Sequence, residues 1–255
     1  MTRVLIIPAA GLGSRLESAV PKVLFPVNGI PMIDHTVALF APVVDRFILV
    51  LNPAFDEQVR RHCQARGHTA DFVVQHAPTG MLDAILLPAA RVRELDATEV
   101  WITWCDQVAI HPRTVERLDR LAAQADARCM MIFPTVERPD PYIHLVRGAH
   151  GEIVKVLHAR EGDAMPDVGE GDMGLFRLSR VAYVEMLPEF ARMPQGGSRT
   201  RERNFLPFIP WLAARGTVRT YPAVDAMESI GVNTREDLAA VERYLREREA
   251  ALGAG

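Results

Sequence analysis

The stretch that most constrains this chain comes first. Val4 to Ile7 is an unbroken apolar run, and it is followed by Pro8, Ala9, Ala10, Gly11, Gly13, Arg15, Pro21 and Lys22. Four consecutive apolar residues read as a buried strand, one with no polar face to give to water, and such strands belong to parallel sheets covered on both faces. What ends the strand suits a bulky anion. Gly11 and Gly13 allow close backbone approach and leave amide N–H groups free to point at a ligand, with Ala9 and Ala10 leading into them. Arg15 adds a planar donor fork for phosphate oxygens, and Pro21 holds Lys22 at the far end of the loop as a point charge. Two better-known glycine patterns do not fit. The dinucleotide fingerprint needs a third glycine where Leu16 stands and an acidic residue where Leu51 and Asn52 stand, and the P-loop's Gly-Lys-Ser/Thr is absent.

The chain has 255 residues, 49% of them hydrophobic, enough for one large α/β domain. Its net charge of −3 gives no global basic field, which argues against nucleic acid or an acidic membrane as partner. Cys63, Cys105 and Cys129 are widely spaced and odd in number, which points away from a disulfide framework and toward a reducing cytoplasm. No metal-ligand spacing links them; His62, Cys63 and His68 read as part of a surface helix. Met1-Thr2-Arg3 runs straight into the first strand, so neither a signal peptide nor a membrane span is expected, and the expected location is cytoplasmic.

Strand and helix patterns alternate along the first half. A helix opening at Pro31 and ending at Pro42 carries Asp34 and His35, which are assigned solvent-facing or structural roles. A second buried strand covers Arg46–Asn52, a charged helix Ala54–Arg66 ends at Gly67, and a third strand covers Ala70–Gln75. A fourth strand, Val100–Cys105, leads to Asp106 and a helix over Gln107–Ala123, and Arg128–Pro134 reads as another strand. From Pro139 the pattern changes to short β segments, YIHLVR, EIVKVLH and MGLFRL. The basic, glycine-rich segment Gly196–Arg203 reads as a loop able to close over phosphates, before a helix at Asn204–Arg215. A strand at Val218–Tyr221 and a terminal helix at Thr234–Glu249 complete the order.

One residue in this order carries chemistry on its own. Asp106 stands at the carboxyl end of a strand, where open α/β sheets bind ligands, and a single carboxylate there suits Mg²⁺. As a plainer alternative, Asp106 caps the next helix.

Taken together, the loop with its Arg15 and Lys22 resembles the sugar-1-phosphate nucleotidyltransferase family. Its continuation, KVLFPVNGIPMIDH, is most similar to the uridylyltransferase domain of N-acetylglucosamine-1-phosphate uridylyltransferases. The resemblance implies a Rossmann-like, mostly parallel sheet with helices on both faces and a small β-rich acceptor region. It divides residues 1–255 into a nucleotide-binding part to about 125, an acceptor part to about 225, and a closing segment with a metal ligand and the last helix. It also implies that Ala9, Ala10, Gly11 and Gly13 cradle a nucleoside triphosphate, that Gln75 and Gly80 read a pyrimidine, and that Arg15 and Lys22 are catalytic. Asp106 and the asparagine of Gly231-Val232-Asn233 would hold Mg²⁺. The acceptor positions fall on Tyr142, His158, Asp172 and Gly174, with His158 in place of the family's glutamate and Asp172 in place of its asparagine. Gly80-Met81 replaces the Gly-Thr whose hydroxyl helps fix the base, which leaves CTP or dTTP open beside the favoured UTP, and a homodimer is likewise left open. Two rivals remain: a cytidylyltransferase acting on a non-sugar phosphate or phosphonate, and a nucleotide-binding regulatory subunit without turnover. A glycosyltransferase would carry Asp-x-Asp where Asp106-Gln107-Val108 stands.

Overall fold

A computed structural model describes residues 2–11, 20–194, 197 and 199–253. The first apolar run forms strand β1, Arg3–Ala9, and its side chains alternate between two cores. Val4 and Ile6 enter one buried cluster and Leu5 and Ile7 the other, because successive strand residues point to opposite faces. Past a pair of two-residue strands, β2 (Pro26–Val27) and β3 (Ile30–Pro31), the same division holds in β4, Arg46–Leu51, and β6, Glu99–Thr103, which flank β1. Alternation of this kind explains why these strands carry no polar face in the sequence.

With β5, Ala70–Val74, these strands form a parallel block. Their carboxyl ends therefore share one edge, from which the chain leaves at Ala10, Asn52, Gln75 and Trp104. The other half of the eight-stranded sheet is mixed. β7 (Cys129–Pro139), β10 (Val168–Asp172), β11 (Leu175–Ser179) and β12 (Thr217–Pro222) extend it in the order β10-β7-β11-β6-β1-β4-β5, with β12 alongside β7. β11 runs antiparallel to β6 and starts opposite Thr103, so residues 172–174 arrive at the edge where β6 ends. A small ribbon of β8, Ile143–Arg147, and β9, Ile153–His158, lies beyond β10.

A third apolar cluster sits beneath that edge. Val27 and Met32, Val108 and Ala109, and Val232 pack with Val241 and Leu245 of the terminal helix, Arg235–Gly253. Val108 lies two residues from Asp106 and Val232 is next to Asn233, so burying these aliphatic side chains fixes the backbone that carries both polar groups. Removing the side chain of fully buried Val232 costs on the order of 1–3 kcal/mol by its transfer energy.

Several boundaries differ from those expected. The helix placed at Gln107 starts at Pro112, which fills its first position, while the His111 ring accepts the Arg113 N–H at 3.0 Å; residues 104–111 are irregular. The strand over 128–134 continues to Pro139 because β10 pairs along its whole second half. β10 itself, sequence VGEGD, has no strand composition, and its glycines accept the close passage of β8: a Cβ on Gly171 would lie 2.8 Å from the Ile143 carbonyl oxygen. The helix over 204–215 is confined to Phe208–Ala213. Among the described residues no helix is long and apolar enough to cross a membrane.

Candidate active site

Asp106 follows β6 at the carboxyl edge, and Val232 reaches it by donating its N–H to the Asp106 carbonyl at 3.1 Å. This bond brings Gly231 and Asn233 beside the aspartate. Gly231 leaves room for the carboxylate, since a Cβ there would stand 3.1 Å from it. The cap of the terminal helix is made by other groups: Thr234 Oγ1 accepts the Asp237 N–H at 3.1 Å, and Asp237 Oδ2 accepts the N–H of Thr234 at 2.8 Å and of Asn233 at 3.1 Å. The Asn233 side-chain oxygen is thereby left to the site.

Lys22 sits in a short 3₁₀ turn, Lys22–Leu24, backed by helix α1, Met32–Phe40. Its Nζ lies 2.5 Å from Asp106 Oδ2 and 2.8 Å from Asn233 Oδ1. One cation is thus held by two hard oxygens from residues 127 positions apart, the pair to which the sequence assigned a metal. That donor set fits Mg²⁺, which takes one or two protein oxygens and fills its octahedron with water and phosphate. Lys22 and a divalent ion would compete for the same two oxygens. Cys105, beside them, has no role as a nucleophile: burial and then the neighbouring Asp106 push its thiol up to about 12, so it stays protonated.

The turn that delivers Asn233 is fixed by a residue that the motifs did not single out. Glu228 is fully buried, and its carboxylate accepts the His111 N–H at 2.9 Å, the Thr114 hydroxyl at 2.9 Å, and the N–H groups of Val224 and Asp225 at 2.8 Å each. Its sequence signal was Asp225 three residues earlier, a capping box on the turn Ala226–Ser229.

Asp106 and Asn233 open into a cleft of about 340 Å³ that also presents Tyr142, His158, Asp172 and Gly174. This volume suits a small ligand. All four acceptor positions named from the sequence therefore share one cavity with the two oxygens. Asp172 is pushed up to about 6 by burial, against which the Gly174 N–H donated to its Oδ1 at 2.8 Å works only partly. His158 Nδ1 accepts from the Asn204 amide at 3.0 Å, and Tyr142 meets the ring edge-on at 5.0 Å between centroids. Burial lowers the His158 pKa, so the ring is neutral at pH ~7 with its proton on Nε2. Gly174 has φ +74°, and a Cβ there would stand 2.3 Å from the Trp104 indole, which lines the same cleft.

Three arginines line this cavity, of which Arg138 carried no role in the sequence. Arg160 pairs with Glu202 at 3.2 Å, Arg203 is bonded to Asp83, and Arg138 reaches the Ser229 hydroxyl at 3.5 Å with no acidic partner among the described residues. Part of the basic segment expected to close over phosphates meets Glu161, which lines the cleft. Glu161 accepts the Arg199 N–H at 2.9 Å and the Thr200 hydroxyl at 2.5 Å.

On the nucleotide side, Ala9, Ala10 and Gly11 follow the expected course off β1, and Asn52 holds that exit by donating to the Ala10 carbonyl at 3.1 Å. Gly13 and Arg15 lie outside the described residues. Gln75 stands at the end of β5 with its amide nitrogen buried and without a hydrogen-bond partner among the described residues. Gly80 has a packing role: at φ +124° it lies against residue 203, and a Cβ would come within 2.5 Å of the Arg203 backbone. Among the described residues, neither Gln75 nor Gly80 lines the cleft.

A mostly parallel sheet covered by helices, with its polar groups gathered at the carboxyl edge and an antiparallel extension beside it, is the α/β nucleotide-diphospho-sugar transferase architecture. The chain belongs to the MobA-like NTP transferase domain family, whose model matches residues 5–173, and is thus a nucleotidyltransferase. It is 31% identical over 248 residues to the "Bifunctional protein GlmU" of Stutzerimonas stutzeri, covering 96% of this chain and 52% of that protein. The proteins of the same name from Azotobacter vinelandii and Aromatoleum aromaticum are 31% and 32% identical over 250 and 253 residues, again with 96% and 52% coverage. The chain spans about half the length of these curated relatives.

Proposed function

We propose that the chain joins a pyrimidine nucleoside triphosphate, UTP before CTP or dTTP, to a sugar 1-phosphate and releases pyrophosphate in a Mg²⁺-dependent reaction. The observation that carries this reading is the convergence of Asp106 Oδ2 and Asn233 Oδ1 on one cationic nitrogen, at the mouth of a cleft of about 340 Å³. Asp106 and Asn233 would hold the ion, which when bound supplies charge neutralisation to phosphate oxygens.

The chain's own groups do the rest. Amides of residues 9–11 and the loop beyond, with Arg15, meet the β- and γ-phosphates, and Lys22 attends the α-phosphate and the acceptor phosphate. Gln75 turns its side-chain amide to the base edge. In the cleft, Arg138 takes the acceptor's anionic group, while His158, Asp172 and Tyr142 orient its uncharged part. An acceptor phosphate oxygen attacks the α-phosphorus in line; the new P–O bond forms as the bond to the pyrophosphate oxygen breaks, and both electrons leave with pyrophosphate. No general base is required, because the phosphate nucleophile is already ionised.

The test is pyrophosphate release with Mg²⁺, with each of five nucleoside triphosphates against sugar 1-phosphates and, separately, small phosphonates. Release that requires both UTP and a sugar 1-phosphate is the expected result. Release with CTP and a phosphonate alone would replace this substrate pair, and binding without release across the panel would favour a regulatory subunit.

A further inference from the structure

Asp34 is buried, not solvent-facing, and two histidines that read as part of a helix surface converge on it. The cause is local. Helix α2, Asp56–Arg66, ends at Gly67, whose left-handed φ of 71° turns the chain back so that His68 donates its N–H to the Cys63 carbonyl at 2.9 Å. The His68 ring then lies beside that of His62, with centroids 6.3 Å apart. Asp34 arrives from the first turn of α1.

The Nε2 atoms of His62 and His68 approach the same carboxylate oxygen, Oδ1, at 2.8 and 2.6 Å. Arg66 Nε holds the other oxygen, Oδ2, at 3.2 Å. A carboxylate has room for about four hydrogen bonds spread over both oxygens, so hydrogen bonding alone does not require both rings to crowd one of them. A bound ion requires its donor atoms gathered within a few ångströms, and all three ligand atoms here lie within 4.8 Å of one another. The outer oxygen is meanwhile fixed by Arg66, as carboxylates that ligate metals are fixed by a neighbour. Both imidazoles remain partly exposed, His62 at 22% and His68 at 13%, which leaves a path for the ion.

We propose that Asp34, His62 and His68 form a site for one divalent transition-metal cation of the zinc class. Two imidazole nitrogens and one carboxylate oxygen are the donors such ions prefer, and Mg²⁺ and Ca²⁺, which select oxygens, are disfavoured. An imidazole that ligates through Nε2 carries its proton on Nδ1, and three protein ligands leave the fourth position to water. None of the three residues lines the cleft. The ion ties α2 to α1, the helix that backs the Lys22 turn.

The test uses the full chain, stripped with a chelator and given Zn²⁺ alone, in an Asp106→Asn background so that the cleft does not contribute. Calorimetry and metal analysis after gel filtration should find one zinc per chain. The affinity should fall by about tenfold or more in His62→Gln and further in the His62→Gln/His68→Gln double variant. Co²⁺ in place of Zn²⁺ should give visible d–d bands without a thiolate charge-transfer band, which separates this site from Cys63. No retained zinc, zinc content unaffected by both substitutions, or a thiolate band would each overturn the proposal. Should the double variant fail to fold by circular dichroism, His62→Gln alone decides between these outcomes.

Discussion

The two sides of the cleft are held together differently. Along the parallel edge, Lys22 donates to both Asp106 and Asn233, and their positions follow from backbone: a strand end, a 3₁₀ turn, and the Val232 N–H on the Asp106 carbonyl. Across the cleft, Asp172, His158 and Tyr142 come from strand ends and turns of the antiparallel extension, and their states are set by burial and by neighbours such as Asn204 and Gly174. Groups that handle phosphates, present in every nucleoside triphosphate, can rest on fixed local geometry. Groups that choose an acceptor depend on side chains brought together from distant parts of the chain. If that division is right, damage to the first side should be indifferent to the acceptor, and damage to the second should depend on it.

The largest effect is expected from Asp106→Asn, which should lower turnover by about a thousandfold, equivalent to about 4 kcal/mol at the transition state. Initial rates of pyrophosphate release should fall equally for every acceptor used; a loss that varied with the acceptor would break the division. Lys22→Ala should reduce turnover by roughly a hundredfold. The same change should tighten Mn²⁺ binding, measured by electron paramagnetic resonance without nucleotide, because it removes the competitor for Asp106 and Asn233.

The parallel edge can also be reached through its scaffold. Glu228→Ala strips four donors of a buried carboxylate and should cost on the order of 3 kcal/mol, since an unsatisfied buried group costs about 1–3 kcal/mol and relaxation recovers part of the sum. The melting temperature should drop by roughly 6–12 °C. An unchanged melting temperature would mean that the turn before Asn233 is held some other way.

On the acceptor side, His158→Ala should raise the acceptor KM by about tenfold and leave the affinity for the nucleoside triphosphate alone, as calorimetry would read it. The same side carries a pH dependence. Asp172 titrates at about 6 in the folded chain against 3.8 when unperturbed, so between these values the folded state binds more protons than the unfolded one. Stability therefore falls as pH rises through that window, and Asp172→Asn should remove that fall. The variant's melting temperature relative to wild type should be higher near pH ~7 than near pH ~4; a constant difference would contradict the buried state of Asp172.

Much of the parallel edge was legible because its parts are short and contiguous. The apolar run of β1, Pro21-Lys22, the aspartate after an apolar strand and Gly231-Val232-Asn233 each carry their meaning within a few residues. What escaped involves partners far apart in sequence. Asp34 and His62 are separated by a strand and a loop, so their meeting at 2.8 Å could not be read from helical spacing, although Gly67 did mark the turn that returns His68. Arg138 lies in the extension of β7, which exists only because the glycine-bearing β10 pairs with it. The late start of the helix at Pro112 was legible, since proline favours a first helical position, but the apolar residues from Val108 to Ile110 also fit a helix.

Asp106 and Asn233 are proposed to act together on one divalent cation that accompanies a nucleoside triphosphate. The most direct test is calorimetric titration of UTP into the wild-type chain and into Asp106→Asn, each with and without Mg²⁺. Mg²⁺ should strengthen UTP binding to the wild type by at least about tenfold, and the gain should be lost in the variant. An equal gain in both proteins would contradict this proposal, because the ion would then be held by the nucleotide alone and the two oxygens would serve only to pair with Lys22.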